Sequence, residues 1–354
     1  MDLSQFDFEL PEHLIALRPV EPRETARLLV VEGSGRLLDR RISDLPDLLS
    51  AGDTLVLNDT RVIQAALTAI RPARDEAGQD VKVTINLTEP LSAPETWRAL
   101  ARPGKRLKIG DKLMIADVFH AEIIAKAEDG QIDLRFEMSG MSLQEALARY
   151  GDMPLPPYIA RRRPADERDK VHYQTRFAGA EAASVAAPTA GLHFGPNMFS
   201  AFDQAGIARE MVRLHVGMGT FAPMTQEHWE GGKLHAEWRS LGDETAAKLN
   251  DRRAAGGRII PVGTTAMRTL ESAVSESGAL QAVSGTTDIF IRPGDPIRAT
   301  DGLVTNFHLP KSSLFMLVSA LMGVEIMQAA YAHAVKEGYR FYSYGDACLL
   351  LTKI

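Results

Sequence analysis

A single cysteine, Cys348, among 354 residues excludes an intrachain disulfide framework and most thiolate metal sites. No apolar run approaches the ~18–20 residues that a membrane span needs. The acidic start, Met-Asp-Leu-Ser-Gln-Phe-Asp-Phe-Glu, lacks the basic-then-apolar order of a signal peptide. Neither charge dominates, since 40 Lys+Arg stand against 46 Asp+Glu. Residues 1–59 hold 6 basic and 12 acidic side chains, so the net −6 lies there and the remainder is balanced. Balance neither demands nor forbids a nucleic-acid partner. Phosphate loops of the Gly-x-x-x-x-Gly-Lys type, Gly-x-Gly-x-x-Gly fingerprints, Gly-x-Ser-x-Gly elbows, internal repeats and low-complexity tracts are also missing. What is present is ordinary globular composition, 45% hydrophobic and 24% charged. The expectation is a soluble cytoplasmic protein of two domains, with no membrane association.

Periodicity divides the chain. Residues 28–31 and 54–57 read as strands, with a short helix between them capped by Ser43. From 65 to 136 the texture is β throughout: 66–70, 81–87, 96–101, 112–115, 121–127 and 131–136, separated by turns such as Arg102-Pro103-Gly104-Lys105. Closely spaced strands without helices predict a small barrel or sandwich. A capping box from Ser142 to Glu145 opens a helix, and Met153-Pro154-Leu155-Pro156-Pro157-Tyr158 is a stiff connector, since proline removes donors and fixes φ. Strands at 207–216, 258–262, 287–291 and 303–307 then alternate with helices at 243–255, 266–274, 312–322 and 324–337. The fold class is therefore α/β: a discontinuous layered domain, 1–60 and 158–354, with a β-barrel domain inserted at 61–157.

Chemistry concentrates at strand ends. In RIIPVGTTAMR (258–268) a strand runs through Gly263-Thr264-Thr265 into a helix, the place where ligands of α/β domains sit. SVAAPTAGLHF (184–194) carries Thr189 and His193, and LHVGMGTF (214–221) carries His215 and Phe221. TDIFIRPGD (287–295) and TNFHLPKSS (305–313) place Asp288, Asn306, Phe307 and His308 on or beside strands joined by a short Pro-Gly loop. An antiparallel pairing of those strands would bring Asp288 and His308 to one sheet edge as a carboxylate-oriented proton carrier. His235-Ala236-Glu237 mimics part of a zinc-deaminase signature without its cysteines and reads as an ordinary polar pair. Cys348, in an apolar run, reads as buried packing. Two basic clusters, Arg98, Arg102, Lys105, Arg106 and Lys108, and the triplet Arg161-Arg162-Arg163, are either solvated faces or RNA contacts.

These stretches, with LVLNDTRVI (55–63), PLPPYI (154–159), YQTRFA (173–178), VGTTAMRTLES (262–272), DGLVTNFHLPKSSLFMLVSA (301–320) and FYSYGDA (341–347), resemble the S-adenosylmethionine:tRNA ribosyltransferase-isomerase family of queuosine biosynthesis over essentially the whole chain. Departures from the family pattern are Thr286 for Trp, Arg292 for Tyr, Ala183 for Gly and Ala222 for Arg.

The resemblance implies an α/β domain with an inserted barrel. It also implies transfer and isomerisation of the ribosyl part of S-adenosylmethionine onto 7-aminomethyl-7-deazaguanine at the tRNA wobble position. The product would be epoxyqueuosine, with adenine and methionine released. No bound cofactor or metal is implied, because S-adenosylmethionine is consumed, and the expected state is a monomer. Such a reaction needs proton carriers, expected among Asp288, His308, His193 and His215. The sulfonium favours Asp59, Asp288, Phe221 or Phe307, and the methionine carboxylate favours Arg61 or Arg268. Thr189, Gly263, Thr264, Thr265, Asn306 and Phe307 are the other expected substrate contacts. Arg98, Arg102, Lys105, Arg106, Arg161 and Arg162 are the expected RNA contacts. The alternatives are an RNA-binding protein that uses the barrel, and an S-adenosylmethionine-dependent tRNA methyltransferase.

Overall fold

The structure, a computed structural model, describes residues 3–127, 130–138, 140–180, 182–217 and 226–352. It divides into two compact units, Met1–Thr60 with Thr175–Gly179 and Ala187–Ile354, and Arg61–Gln174 with Ala180–Ala186. The second unit thus continues past the expected span 61–157.

The first unit is built on a nine-stranded sheet. Its order is Val283–Ile289, Lys233–Leu241, Ala208–Leu214, Thr54–Asn58, Ile259–Val262, Gly302–Asn306, Ala347–Leu351, Arg27–Glu32, Leu37–Arg41. The four strands from Ala208–Leu214 to Gly302–Asn306 are mutually parallel. Parallel strands are covered on both faces, and TLVLN, IIPV and GLVTN are accordingly buried at every position. Alternation sends Leu29, Val31 and Leu303 to one face, against the helices Ser313–Met322 and Val324–Lys336. Leu28, Val30, Leu55 and Leu57 go to the other, against the helix Pro196–Gln204. Cys348 is buried, and burial pushes its thiol pKa up. Among the described residues no single helix is long and apolar enough to cross a membrane. The two core helices pass that test only jointly, across a 117° bend.

Gly263 makes the turn from Ile259–Val262 into the helix Thr264–Glu271 at φ +95° and ψ 150°, a backbone region essentially closed to residues with a Cβ. That helix begins two residues before the expected 266 and stops at Glu271, short of 274.

The second unit contains a closed antiparallel barrel of six strands: Ala66–Arg71, Val81–Pro90, Thr96–Arg102, Lys112–Ala116, Phe119–Lys126 and Gln131–Phe136. The sequence texture predicted this barrel. Strict alternation of buried and exposed positions, as in Ala66–Arg71 and Val81–Pro90, fills the interior with Leu67, Val83, Ile85, Leu113, Ile123 and Leu134. Arg61–Val62 pairs in parallel with Ala182–Ser184.

Several expectations need correction. Ser43 does not cap its helix. It lies inside a 3₁₀ turn, Ile42–Asp44, where Asp44 accepts the Arg41 N–H instead. The Ser142 helix begins earlier, at Gly140. The strand Lys233–Leu241 was not anticipated, because its charged residues hide any apolar run. The expected 287–291 strand is Val283–Ile289, and its neighbour is Lys233–Leu241 rather than Gly302–Asn306.

Candidate active site

Because four adjacent strands run the same way, their carboxyl ends present residues along one edge of the first unit: His215, Asn58-Asp59-Thr60, Gly263-Thr264-Thr265 and Asn306. Asn58 ties three of these ends together. Its amide nitrogen donates to the Leu214 carbonyl at 3.0 Å and to the Thr265 hydroxyl at 3.2 Å. Its oxygen accepts from the N–H groups of Leu214 and Thr60. A fully buried amide with both ends satisfied is a rigid spacer, not a free ligand group.

His215 follows directly. Its Nδ1 lies 3.0 Å from the Thr60 hydroxyl, and its ring stacks on Trp238 with centroids 4.7 Å apart and planes 16° from parallel. Trp238 pairs across strands with Thr286, the position where the family usually carries Trp. At the next strand end, Thr189 donates to the Asn306 amide oxygen at 2.9 Å, and Asn306 Nδ2 donates to the Tyr342 carbonyl at 3.1 Å.

Arg268 sits in the helix that starts at Thr264, 5% exposed, with Nη1 paired to Glu237. Nε and Nη2 have no partner among the described residues. Glu237 was read as half of an ordinary polar pair, whereas it is buried and bonded to Arg268 and to the Gly217 N–H. Sequence patterning could not reveal this, because a carboxylate's burial depends on which strand pairs with its own. Asn58 was visible in the LVLNDTRVI stretch, but nothing there marked it as the hub.

Other expected site residues are placed differently from the expectation, although Asp288 follows Thr287, the cross-strand partner of Glu237, and Asp59 stays on the strand-end edge. Asp288 and His308 are not neighbours. Their strands are five steps apart in the sheet order, roughly 24 Å at the ~4.8 Å strand spacing. Asp288 is solvent-facing and ion-paired to Lys233 at 2.8 Å, which holds its carboxyl below the usual range. His308 is buried beside Thr305 and Tyr331, and burial pushes its pKa down to about 3, so the ring is a neutral core group. Phe307 belongs to the same aromatic core, with Tyr331, Tyr339 and Phe341.

His193 is buried with its two ring nitrogens 3.0 and 2.9 Å from the carbonyls of Ala190 and Gly345, and burial lowers its pKa. Its role there is to join two backbone segments. Asp59 is held in a two-bond pair by Arg213, Nε to Oδ1 at 2.9 Å and Nη2 to Oδ2 at 2.8 Å, which neutralises the charge expected to face a sulfonium. Phe221, together with Ala222, lies outside the described residues.

Arg61 belongs to the second unit, at the start of the Arg61–Val62 strand. On the barrel, Arg98 is ion-paired with Asp133 and Glu89 at 2.9 and 2.6 Å. Arg102, Lys105, Arg106, Arg161 and Arg162 are exposed. Lys126 fixes the turn that carries Lys105 and Arg106, through the carbonyls of Gly104 and Leu107. Among the described residues no group of three or more His, Cys, Asp or Glu side chains is placed to hold a metal ion.

This arrangement can be set beside known proteins. The family described as "Queuosine biosynthesis protein" matches residues 3–350. The chain is 61% identical over 351 residues to an S-adenosylmethionine:tRNA ribosyltransferase-isomerase from Hyphomonas neptunium, covering 99% of this chain and 100% of the relative. It is 52% identical to the protein of the same name from Maricaulis maris, covering 99% of both. The crystal structure of an S-adenosylmethionine tRNA ribosyltransferase from Thermotoga maritima is similar with a TM-score of 0.55 and 33% identity, covering 98% of this chain and 100% of that one. Matched from end to end by such relatives, the chain belongs to the queuosine biosynthesis family of S-adenosylmethionine:tRNA ribosyltransferase-isomerases.

Proposed function

We propose that this protein transfers the ribosyl part of S-adenosylmethionine to 7-aminomethyl-7-deazaguanine at the wobble position of tRNA. It isomerises that part to give epoxyqueuosine and releases adenine and methionine. The observation that carries the reading is the 61% identity to a protein named for this activity, extending over 99% of the chain. It acts as a monomer in the cytoplasm, where its tRNA substrate is found.

The parallel strand ends supply the chemistry. His215 is the proton carrier. Its Nδ1 is held by Thr60 and one ring face is covered by Trp238, leaving the imidazole oriented to serve the carbon beside the sulfonium or the departing adenine. Arg268 receives the methionine carboxylate on its side-on edge. Thr264, with the free N–H groups of the helix start, and the Thr189–Asn306 pair line the remaining polar contacts.

The alternatives predict different products. A methyltransferase leaves S-adenosylhomocysteine, and an RNA-binding protein leaves S-adenosylmethionine intact; neither matches the names of the relatives. Incubation with S-adenosylmethionine and precursor tRNA, followed by chromatography, should yield adenine and methionine in equal amounts. S-adenosylhomocysteine, or no turnover, would overturn the reading.

A further inference from the structure

Arg268 presents an unusual accounting of donors. A guanidinium carries five N–H groups in one plane. Glu237 Oε2 occupies Nη1, whereas Nε and Nη2 are shielded from solvent with no partner among the described residues. Those two nitrogens form the side of the fork that grips a carboxylate through two parallel bonds. Leaving buried charged donors without partners is costly, so an anion on this edge is favoured. Glu237 determines which edge that is. By taking Nη1, and by accepting the Gly217 N–H through Oε1 at 3.0 Å, it fixes the guanidinium's rotation and ties it to the segment after the strand Ala208–Leu214. The next residue on Glu237's strand, Trp238, stacks on His215, so the carboxylate grip and the imidazole share one support.

We infer that Glu237 is a positioning residue for the amino-acid end of S-adenosylmethionine, holding Arg268 so that its Nε and Nη2 donors meet the ligand's carboxylate. The inference rests on the reading that Arg268 receives that carboxylate, and it adds the group that makes the geometry selective. It also explains why the pair is worth burying: the carboxylate offsets the cost of a lone guanidinium in the interior while leaving the Nε and Nη2 donors for substrate.

The test compares two ligands by calorimetry: S-adenosylhomocysteine, which has the amino-acid end, and 5′-methylthioadenosine, which lacks it. The readout is the ratio of their affinities, which a change in general stability does not move. Arg268→Lys should cut that ratio roughly 10-fold or more, as expected for a lost charge-assisted pair. Glu237→Gln should cut it by a similar factor while methylthioadenosine binding is retained. The double variant should be no worse than Arg268→Lys alone. If Arg268→Lys lowers the ratio and Glu237→Gln does not, the positioning role is overturned and the carboxylate reading stands. An unchanged ratio in Arg268→Lys overturns both. Equal loss of both ligands in Glu237→Gln and in the charge-keeping Glu237→Asp would assign Glu237 to the scaffold and also overturn the inference.

Discussion

Asn58 donates its side-chain amide to the Thr265 hydroxyl at 3.2 Å, joining the end of one parallel strand to the first turn of the helix that begins after its neighbour. The same amide binds the backbone of Leu214, so the spacing of three strand ends depends on one side chain. Asn58→Ala leaves the Leu214 N–H and C=O without this partner in a buried place. It should lower unfolding free energy by about 1–3 kcal/mol, measured by urea denaturation. Because the edge loosens, the Michaelis constant for S-adenosylmethionine should rise in the same variant.

His215→Gln should lower turnover by ~10²-fold or more with little change in melting temperature, the scale of lost acid–base catalysis. Trp238→Leu removes the stacking face but keeps the imidazole, so it should reduce turnover less than His215→Gln does. Activity that survives His215→Gln would remove the histidine from the reaction.

Asp288→Asn and His308→Gln should separate in the opposite sense. Asp288 is exposed in a pair with Lys233, and such pairs contribute ~0–1 kcal/mol. Its replacement should leave turnover and melting nearly unchanged. His308 is neutral in the fold, with its pKa lowered from 6.5 to about 3 by burial. A group depressed on folding gives stability that is present above 6.5 and lost as pH falls towards 3, at ~1.4 kcal/mol per pH unit. In urea titrations between pH 6.5 and 4, His308→Gln should show a shallower decline than the parent.

Asp53 gives a second acid dependence. Burial alone pushes its carboxyl up, but bonds from Arg258 and the Ser50 N–H outweigh this and leave the pKa below its ordinary 3.8. The stability it contributes is therefore present above 3.8 and lost as pH falls through the lower folded value. Asp53→Asn should cost about 3 kcal/mol at neutral pH and should flatten the fall in stability below pH ~4.

On the barrel, ion pairing sorts the basic residues. Arg98, paired with Asp133 and Glu89, should be silent in tRNA binding when changed to Ala. Lys105→Ala and Arg106→Ala should each reduce the slope of log affinity against log salt by ~0.7–0.9 if each meets one phosphate. Filter binding across a salt series measures both.

Much of this architecture was legible because it rests on local signals. Turn chemistry such as Arg102-Pro103-Gly104 marked the barrel, and the runs LVL, IIPV and LVT marked strands of the layered α/β domain, whose parallel pairing only the structure shows. The Gly263 turn declared itself by composition. What escaped were relations fixed by strand order. The strand carrying Asp288 and the strand that ends just before His308 are consecutive in sequence yet lie at separated places in the sheet. Lys233–Leu241, in which charged and polar residues break up Leu, Ala and Trp, carries no apolar run to announce it. Without that strand, the burial of Glu237 against Arg268 has no signal. The Asp59–Arg213 pair, 154 residues apart, is invisible for the same reason.

The sheet order also sets a timetable for synthesis. Arg27–Glu32 has Ala347–Leu351 as its inner neighbour, and the Arg27 N–H reaches Asp346 across 319 residues. At ~5–20 residues per second, the first strands emerge roughly 15–60 s before that neighbour exists. During this interval the hairpin of Arg27–Glu32 and Leu37–Arg41 carries an unpaired apolar edge, LLVV, of the kind that invites foreign strands. The barrel, made of hairpins close in sequence, has its partners at hand much earlier. Nascent chains of this protein are therefore most vulnerable at their oldest end, and a chaperone that shields residues 27–41 during translation should raise the yield of folded enzyme.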